Sequence, residues 1–551
     1  MKKSYLKEVT PLSSIKELLE LAKNEAGEHT AYIHKENKEE KKVTYNQFYE
    51  DVFALGTALS DLGISKKHIA CMGENSYKWI NVYLSVLRSD NVFVGIDKEL
   101  PAKDFLYVVA DSDTEVLFYG SKIEGMIKEN LDSLSNIKYF IGLDREEDDG
   151  NFLSFNLLRE KGRALYKEGN TSFSDMENVY EALKMLVYTS GTTGLAKGVM
   201  LSEKNLVSII YHGLRVSTIS EMGLSLLPYH HAYEAVCGIL VAIHKHTTVC
   251  INDSLKNVAK NLVKYRPTYM YVVPAVASAL HSSVLRNAQK QGKLKALMLL
   301  IKVSNGLRKV GIDLRRKLFA SIHNGLGGRL DRIVCGGAPI SDEMSYFFDS
   351  IGILMLNGYG ITECSPLVSV NNDFDNDYRT VGYTLPCLEV DIRDKDENGI
   401  GEICVKGDTV MLGYYKKPEA TKEAIVDGWF YTGDFGYLNE KGQLLITGRK
   451  KNIIVLSNGK NIFPEEIESY IEKILYVKEV VVYEVDNNGQ PALCAEIYPD
   501  KELMGESDVN TDICEALKEL PSYKQITKIV LRDEEFKKNA SRKILRGEIK
   551  K

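Results

Sequence analysis

The alternation of apolar and polar positions near the start of the chain predicts helices between short buried strands. Apolar residues recur every three or four positions from Phe48 to Leu62, which places them on one face of a helix. The segment Thr44–Gln47 reads as a capping box that begins this helix. The runs HIACMG, YKWINVYLSVLRS and NVFVGI then read as strand, helix and strand. This β–α–β order indicates an α/β fold with mostly parallel sheets and helices on both faces.

Strand-like runs continue at Tyr269–Pro274 and Arg332–Cys335, but the pattern changes after about residue 380. Short strands are predicted there, separated by Asn-Gly, Gly-Asp and Lys-Gly turns, at Leu388–Arg393, Gly401–Lys406 and Gln443–Thr447.

The last hundred residues predict a small, separate α+β domain. Ile453–Ser457 and Lys460–Phe463 flank Asn458-Gly459, a strong hairpin signal. Pro464 suits the first turn of a helix. The apolar side of that helix would carry Ile467, Tyr470, Ile471 and Ile474. Strands are then predicted at Glu479–Val485 and Ala492–Tyr498, followed by a helix ending near Leu520. We therefore expect a large N-terminal domain over residues 1–450 and a small C-terminal domain over residues 451–551.

Length and composition exclude several classes of protein. A chain of 551 residues is too long for one hydrophobic core. A net charge of −6 from 70 basic and 76 acidic residues argues against a nucleic-acid partner. Nine cysteines without a C-x-x-C pair argue against a zinc site or a disulfide framework. With no apolar run of membrane-spanning length and no signal-like segment, we expect a cytoplasmic protein.

The stretch YTSGTTGLAKGVMLS, residues 188–202, carries the first candidate chemistry. It is not a Walker A loop, because Lys197 is followed by glycine and the glycine spacing differs. What remains is a loop of open backbone N–H groups, one lysine and several hydroxyls, those of Thr189, Ser190, Thr192 and Thr193. This chemistry suits the β- and γ-phosphates of a nucleotide. Taken alone, the stretch also fits a mobile turn between strands.

The string YTSGTTGLAKG resembles the phosphate loop of the adenylate-forming superfamily, which includes acyl-CoA synthetases, adenylation domains and luciferases. Further motifs of that superfamily follow in its order: CGGAP at 335–339, NGYGITE at 357–363, YTGD at 431–434, GR at 448–449 and SNGKNIFPEEIE at 457–468. Together the resemblance covers most of residues 40–546.

The resemblance implies a role for each matching residue. The loop, including Gly191, Gly194 and Lys197, would hold phosphates. Adenine would lie against Gly337, Ala338, Gly358 and Tyr359, with Asp434 and Arg449 on the ribose. Thr362 would contact the α-phosphate, and Glu363 and Thr189 would hold Mg²⁺. Lys451 would be the hinge between the domains.

The catalytic lysine and the acyl-pocket histidine each have an alternative. The segment FKKNASRKILR resembles the closing motif of the superfamily, although lysine stands where proline is common and Arg542 replaces a glycine. Alignment on Lys-Ile-x-Arg assigns the catalytic role to Lys543 rather than to Lys537 or Lys538. The alternative is that this segment is a solvated basic tail. His230 follows a Leu-Pro pair as a candidate wall of the acyl pocket, or it is a structural histidine.

The implied activity is that of a ligase: ATP activates a carboxylic acid to acyl-AMP, and the acyl group passes to CoA. The region Ser283–Arg332 resembles the long-chain fatty acyl-CoA synthetase branch. The run Lys302–Arg316 is either a contact with the inner face of a membrane or a solvated helix face. Two rival functions are transfer to an acyl carrier protein and a catalytically inactive relative that only binds nucleotide or lipid.

Overall fold

The computed structural model describes residues 6–177, 179–189, 196–455, 461–487, 490–538 and 544–549. Up to residue 449 its strands are β1 (Thr30–Glu36), β2 (Glu39–Thr44), β3 (His68–Met72), β4 (Val92–Ile96), β5 (Thr114–Tyr119), β6 (Tyr139–Gly142), β7 (Phe152–Ser154), β8 (Leu183–Thr189), β9 (Lys197–Ser202), β10 (Met222–Ser225), β11 (Thr248–Ile251), β12 (Tyr269–Val272), β13 (Arg332–Cys335), β14 (Leu354–Tyr359), β15 (Ser369–Val370), β16 (Tyr383–Thr384), β17 (Leu388–Arg393), β18 (Gly401–Gly407), β19 (Gly413–Tyr414), β20 (Ile425–Val426), β21 (Trp429–Leu438) and β22 (Leu444–Arg449).

The helices of the same part of the chain are α1 (Ile15–Ala26), α2 (Tyr45–Asp61), α3 (Tyr77–Arg88), α4 (Ala102–Asp111), α5 (Glu124–Glu129), α6 (Phe155–Lys167), α7 (Glu203–Val216), α8 (Val241–His244, preceded by a π-helix at Tyr233–Leu240), α9 (Val258–Tyr265), α10 (Pro274–Lys290), α11 (Leu294–Lys309), α12 (Arg315–Leu318), α13 (Ala320–Gly325), α14 (Asp342–Ser350) and α15 (Pro418–Ala424). The predicted capping box is confirmed at the start of α2. There the Gln47 N–H donates to the Thr44 hydroxyl and the Thr44 N–H donates to the Gln47 side chain.

Two large sheets are mostly parallel, as the β–α–β pattern predicts. The nine-stranded sheet has the order β16-β15-β14-β13-β12-β10-β11-β1-β2, and the eight-stranded sheet the order β19-β9-β8-β4-β3-β5-β6-β7. Antiparallel pairs occur toward their edges, for example β1 with β2 and β8 with β9. A five-stranded antiparallel sheet follows, with β17-β18-β21-β20 in order and β22 on β21.

The two large sheets and their helices form five layers, in the order helix, sheet, helix, sheet, helix. Neighbouring residues of a strand face opposite sides of its sheet, so each sheet contributes to two cores. In β3, Ile69 and Cys71 face the central core, which both sheets share. Ala70 and Met72 face the outer core beneath α4 and α5. On the far side of the nine-stranded sheet, β12 and β13 pack against α10 and α14. The fold class is therefore confirmed as α/β with helices on both faces of each large sheet.

The C-terminal part has a core of its own. Its elements are β23 (Ile454–Val455), β24 (Asn461–Ile462), α16 (Pro464–Ile471), β25 (Val477–Asn487), β26 (Gln490–Pro499), α17 (Lys501–Met504), α18 (Val509–Leu517) and β27 (Lys528–Leu531). The hairpin β23–β24 is confirmed, while its Asn458-Gly459 turn lies outside the described residues. Ile474 packs against this core from beyond the end of α16 rather than from within the helix.

Ion pairs join this C-terminal part to the larger one. Lys473 lies 3.4 Å from Asp342 and 2.9 Å from Glu343, both in the first turn of α14. Lys290, at the end of α10, lies 3.6 Å from Glu502. Across the described ranges of the chain, no helix is both long enough and apolar enough to cross a membrane.

Candidate functional site

The glycine-rich loop connects two antiparallel strands rather than a strand and a helix. Thr189 of β8 and Lys197 of β9 are paired residues, so they face each other where the loop begins and ends. α7 starts at Glu203, directly after β9, and its N-cap is Ser202, whose hydroxyl accepts the N–H of Asn205 at 3.2 Å. The expectation that no helix follows the loop directly is confirmed. The remaining predicted phosphate ligands lie outside the described residues: Ser190, Gly191, Thr192, Thr193 and Gly194.

Three of the predicted nucleotide-binding residues meet around one carboxylate. The Tyr359 hydroxyl, at the end of β14, donates to Oδ2 of Asp434 at 2.6 Å. Nε of Arg449 in β22 lies 2.8 Å from Oδ1 of the same aspartate. Asp434 itself is only 2% exposed, in β21. A buried carboxylate requires such partners, and the cluster offers acceptor oxygens suited to ribose hydroxyls.

An apolar cleft opens beside Tyr359. Glycines and apolar side chains line it, among them Leu214, Tyr233, Cys237, Gly337, Gly358 and Leu367. The carboxyl ends of β13 and β14 lead into it, the usual place for a ligand in an open α/β sheet. Its apolar lining with few polar groups is typical of a small-molecule site. Ala338 is exposed and is not part of this lining.

His230 lies outside the lining of this cleft. Its backbone packs so closely on Gly95 that a Cβ at position 95 would lie 3.1 Å from the His230 Cα. Burial, and then the charge of Lys98, lowers the pKa of His230 to about 3. The imidazole is therefore neutral near pH 7, and its 3.7 Å contact with Asp97 is not an ion pair at that pH.

Glu234 is a buried acid whose importance was not predicted. It lies in the π-helix between Tyr233 and Cys237 and is 1% exposed. Oε1 lies 2.5 Å from the Ser225 hydroxyl, while Oε2 has no hydrogen-bond partner among the described residues. Burial raises the pKa of Glu234 to about 8. The available signal was a lone acid directly before the apolar run AVCGILVAI, residues 235–243.

Glu363, the predicted magnesium ligand, follows β14 in a short 3₁₀ turn with Thr362. Its Oε1 accepts a hydrogen bond from the Tyr414 hydroxyl at 2.9 Å. The Lys197 ammonium lies 4.9 Å from the centre of the same tyrosine ring. Nothing in the sequence pointed to Tyr414.

These residues fit a magnesium ion that arrives with a nucleotide. In the part of the chain that the structure describes, no three histidine, cysteine or acidic residues form a metal-binding group. Mg²⁺ needs no such group, because it keeps several waters and is bound through one or two carboxylates plus substrate phosphates. The single carboxylate of Glu363 is sufficient for that mode.

The predicted catalytic lysine, Lys543, lies outside the described residues. The strand-like residues on either side of that stretch, Lys538 and Ile544, are paired. The Lys538 ammonium forms ion pairs with Glu479 and Glu535, so this lysine has structural partners of its own. Lys451 lies exposed in a 3₁₀ turn, Lys450–Asn452, directly after β22.

The fold and the site define a class of protein. The family model described as "AMP-binding enzyme" matches residues 19–415, and the chain belongs to this family. The match includes the loop, the cleft, Tyr359, Glu363 and Tyr414, and it ends before Asp434.

Particular relatives are similar over most of their length. Fatty acyl-CoA synthetase B of Dictyostelium discoideum is 28% identical over 530 residues, covering 89% of this chain and 76% of the relative. The long-chain-fatty-acid–CoA ligase FadD15 of Mycobacterium bovis is 28% identical over 461 residues, which cover 80% of this chain and 75% of the relative. Among solved structures, the anthranilate CoA ligase AuaEII in complex with anthranoyl-AMP has a TM-score of 0.78 at 18% identity. The match covers 99% of this chain and 98% of that chain. This last likeness shows the shared fold.

The buried Glu234 makes stability depend on pH in a defined direction. Its folded pKa is raised to about 8, so between the ordinary value and 8 the folded state holds a proton that the unfolded state releases. This contribution to stability is full at low pH and is lost as the pH rises through 8. We expect Glu234→Gln, which is neutral at every pH, to gain a few degrees of melting temperature relative to the parent between pH 5 and pH 8.

Thermal melts of both proteins at the two pH values measure this difference. Glu419→Gln, at an exposed carboxyl on α15, is the matched control and should show no such gain. An equal difference between Glu234→Gln and the parent at pH 5 and pH 8 would show that the buried acid is ionised in the folded protein.

Proposed function

We propose that this chain is a long-chain fatty acid–CoA ligase that forms acyl-AMP and then acyl-CoA. The observation that carries the proposal is the position of Tyr359, which both lines the apolar cleft and binds Asp434. This position supports an acyl chain in the cleft beside a ribose at Asp434. The names of the curated relatives support a fatty acid as substrate and favour CoA over a carrier protein as acceptor.

In the first half-reaction, a carboxylate oxygen of the acid attacks the α-phosphorus of ATP. The bond from that phosphorus to the bridging oxygen breaks, and pyrophosphate leaves. The work of the protein is to position the reactants and neutralise oxygen charge. Thr362 donates to the α-phosphate, the loop hydroxyls and Lys197 hold the departing phosphates, and Lys543 neutralises the developing charge. Mg²⁺ held by Glu363 and Thr189 would supply further charge neutralisation.

In the second half-reaction, the CoA thiol loses its proton and its sulfur attacks the acyl carbonyl, releasing AMP. Lys543 has to withdraw so that the thiol can approach. The C-terminal domain turns about Lys451, a change confined to a few backbone angles. That rotation breaks the ion pairs of Lys473 with Asp342 and Glu343.

Substrate class is tested by pyrophosphate release across acids from acetate to palmitate, with and without CoA. We expect release with the longer chains, turnover only with CoA, and acyl-CoA as the product. Purified acyl carrier protein in place of CoA serves as the comparison. Release with no acid of any length would contradict the proposal, and thioester formation on the carrier alone would replace CoA as acceptor.

The two half-reactions separate the role of Lys543 from that of Lys451. Lys543→Ala should slow adenylation by about 100-fold or more while leaving thioester formation from supplied acyl-AMP intact. Lys451→Pro should do the reverse, because proline fixes the backbone at the hinge. Lys537→Ala, at an exposed lysine paired with Glu548, is the control for the first variant. Equal loss of both steps in either variant would remove the assigned role.

We also propose that α11 of this protein contacts a membrane surface. Leu299, Val303 and Val310 are 63%, 49% and 72% exposed on one side of α11 and its end. Exposed lysines follow the same helix seven residues apart, at Lys295, Lys302 and Lys309. An apolar stripe flanked by lysines fits an anionic lipid surface, where an insoluble acid would also be found.

Sedimentation with vesicles tests this surface. We expect the protein to bind phosphatidylglycerol vesicles and not phosphatidylcholine vesicles. Leu299→Ser with Val303→Ser should reduce the bound fraction about tenfold, since both side chains lose apolar burial in lipid. Leu157→Ser, at an exposed leucine of α6, is the matched control. Equal binding by the double variant and the parent would show that α11 faces water.

A further inference from the structure

Tyr414 occupies a position that joins two predicted phosphate-binding elements. Its hydroxyl donates to Oε1 of Glu363 at 2.9 Å, and the Lys197 ammonium lies 4.9 Å from its ring centre. Glu363 follows β14 of the nine-stranded sheet, whereas Lys197 begins β9 of the eight-stranded sheet. One side chain thus contacts groups from both large sheets.

The backbone around Tyr414 leaves this side chain little choice of direction. β19 pairs with β9, with Tyr414 opposite Val199 and Gly413 opposite Met200. The Tyr414 N–H also donates to the Thr421 hydroxyl at 2.9 Å. Gly413 has φ of +138°, and a Cβ there would lie 2.7 Å from the Thr421 methyl group. Strand pairing and close packing therefore hold the ring in place.

Each contact restricts a different partner. A phenol is neutral near pH 7, so its O–H donates to the carboxylate and fixes the orientation of Glu363. The ring face attracts the Lys197 ammonium, because an aromatic face carries partial negative charge.

We propose that Tyr414 is a positioning residue for the release of pyrophosphate, presenting the Glu363 carboxylate to magnesium and keeping the Lys197 ammonium available to phosphate. This inference rests on the proposed function. In this role Tyr414 acts through the two residues that would contact the metal and the phosphate.

The neighbouring residue provides a matched control. The Tyr415 hydroxyl donates to Oδ2 of Asp113 at 2.8 Å, a bond of the same kind to a different carboxylate. Tyr414→Phe and Tyr415→Phe therefore each remove one hydroxyl from adjacent residues while keeping the ring. Only the first removes a contact to Glu363.

The measurement is equilibrium binding of ATP by calorimetry over a series of Mg²⁺ concentrations, with no acid present. We expect Tyr414→Phe to raise the Mg²⁺ concentration at half-maximal binding about tenfold, as is typical when a residue orienting a metal ligand is lost. Tyr415→Phe should match the parent. In ATP–pyrophosphate exchange, Tyr414→Phe should recover most of its kcat at high Mg²⁺, which a general folding defect would not allow.

The outcomes distinguish this inference from the proposed function. If the parent binds ATP and both variants show the same Mg²⁺ midpoint as the parent, the positioning role is wrong. A parent protein that does not bind ATP with any Mg²⁺ concentration would contradict the proposed function itself. Melting temperatures of the three proteins establish that each is folded during the measurement.

Discussion

The buried carboxylate of Asp434 is the constraint on which the site depends. A charge that is 2% exposed needs partners, and it has Tyr359 on one oxygen and Arg449 on the other. Those partners come from β14 and β22, so the nine-stranded sheet and the five-stranded sheet are held together at this point. Removing the side chain of Tyr359 or Arg449 would leave the Asp434 charge poorly compensated. The loss of folding stability would be far larger than for a contact at the surface.

The sheets supply the rest of the site through the ends of their strands. β13 and β14 bring glycines and Tyr359 to the apolar cleft, while the hairpin β8–β9 brings Thr189 and Lys197. Tyr414, on a two-residue strand, joins these groups to Glu363. Rigid strands thus position side chains that come from distant parts of the sequence.

Periodicity and turn chemistry were sufficient to predict the layered α/β fold, because the apolar spacing of elements such as α2 is a local property. The motifs also identified Tyr359, Asp434 and Arg449, which do meet. Tyr414 was missed because its importance comes from two partners far away in the sequence. Glu234 was missed because only burial, a property of the whole fold, changes its protonation. His230 was predicted in the acyl pocket from its neighbours in sequence; it packs against Gly95, and the described cleft is lined by other residues.

The contact between the two parts of the chain has a consequence for repeated turnover. It includes half-exposed lysines such as Lys473, paired with carboxylates that water and salt also reach. Ion pairs of this kind contribute about 1 kcal/mol or less each, whereas a fully apolar interface of the same extent would hold one arrangement firmly. Thermal fluctuation is enough to separate such pairs. The proposed rotation of the C-terminal part would therefore cost little at these ion pairs and would need no separate source of energy.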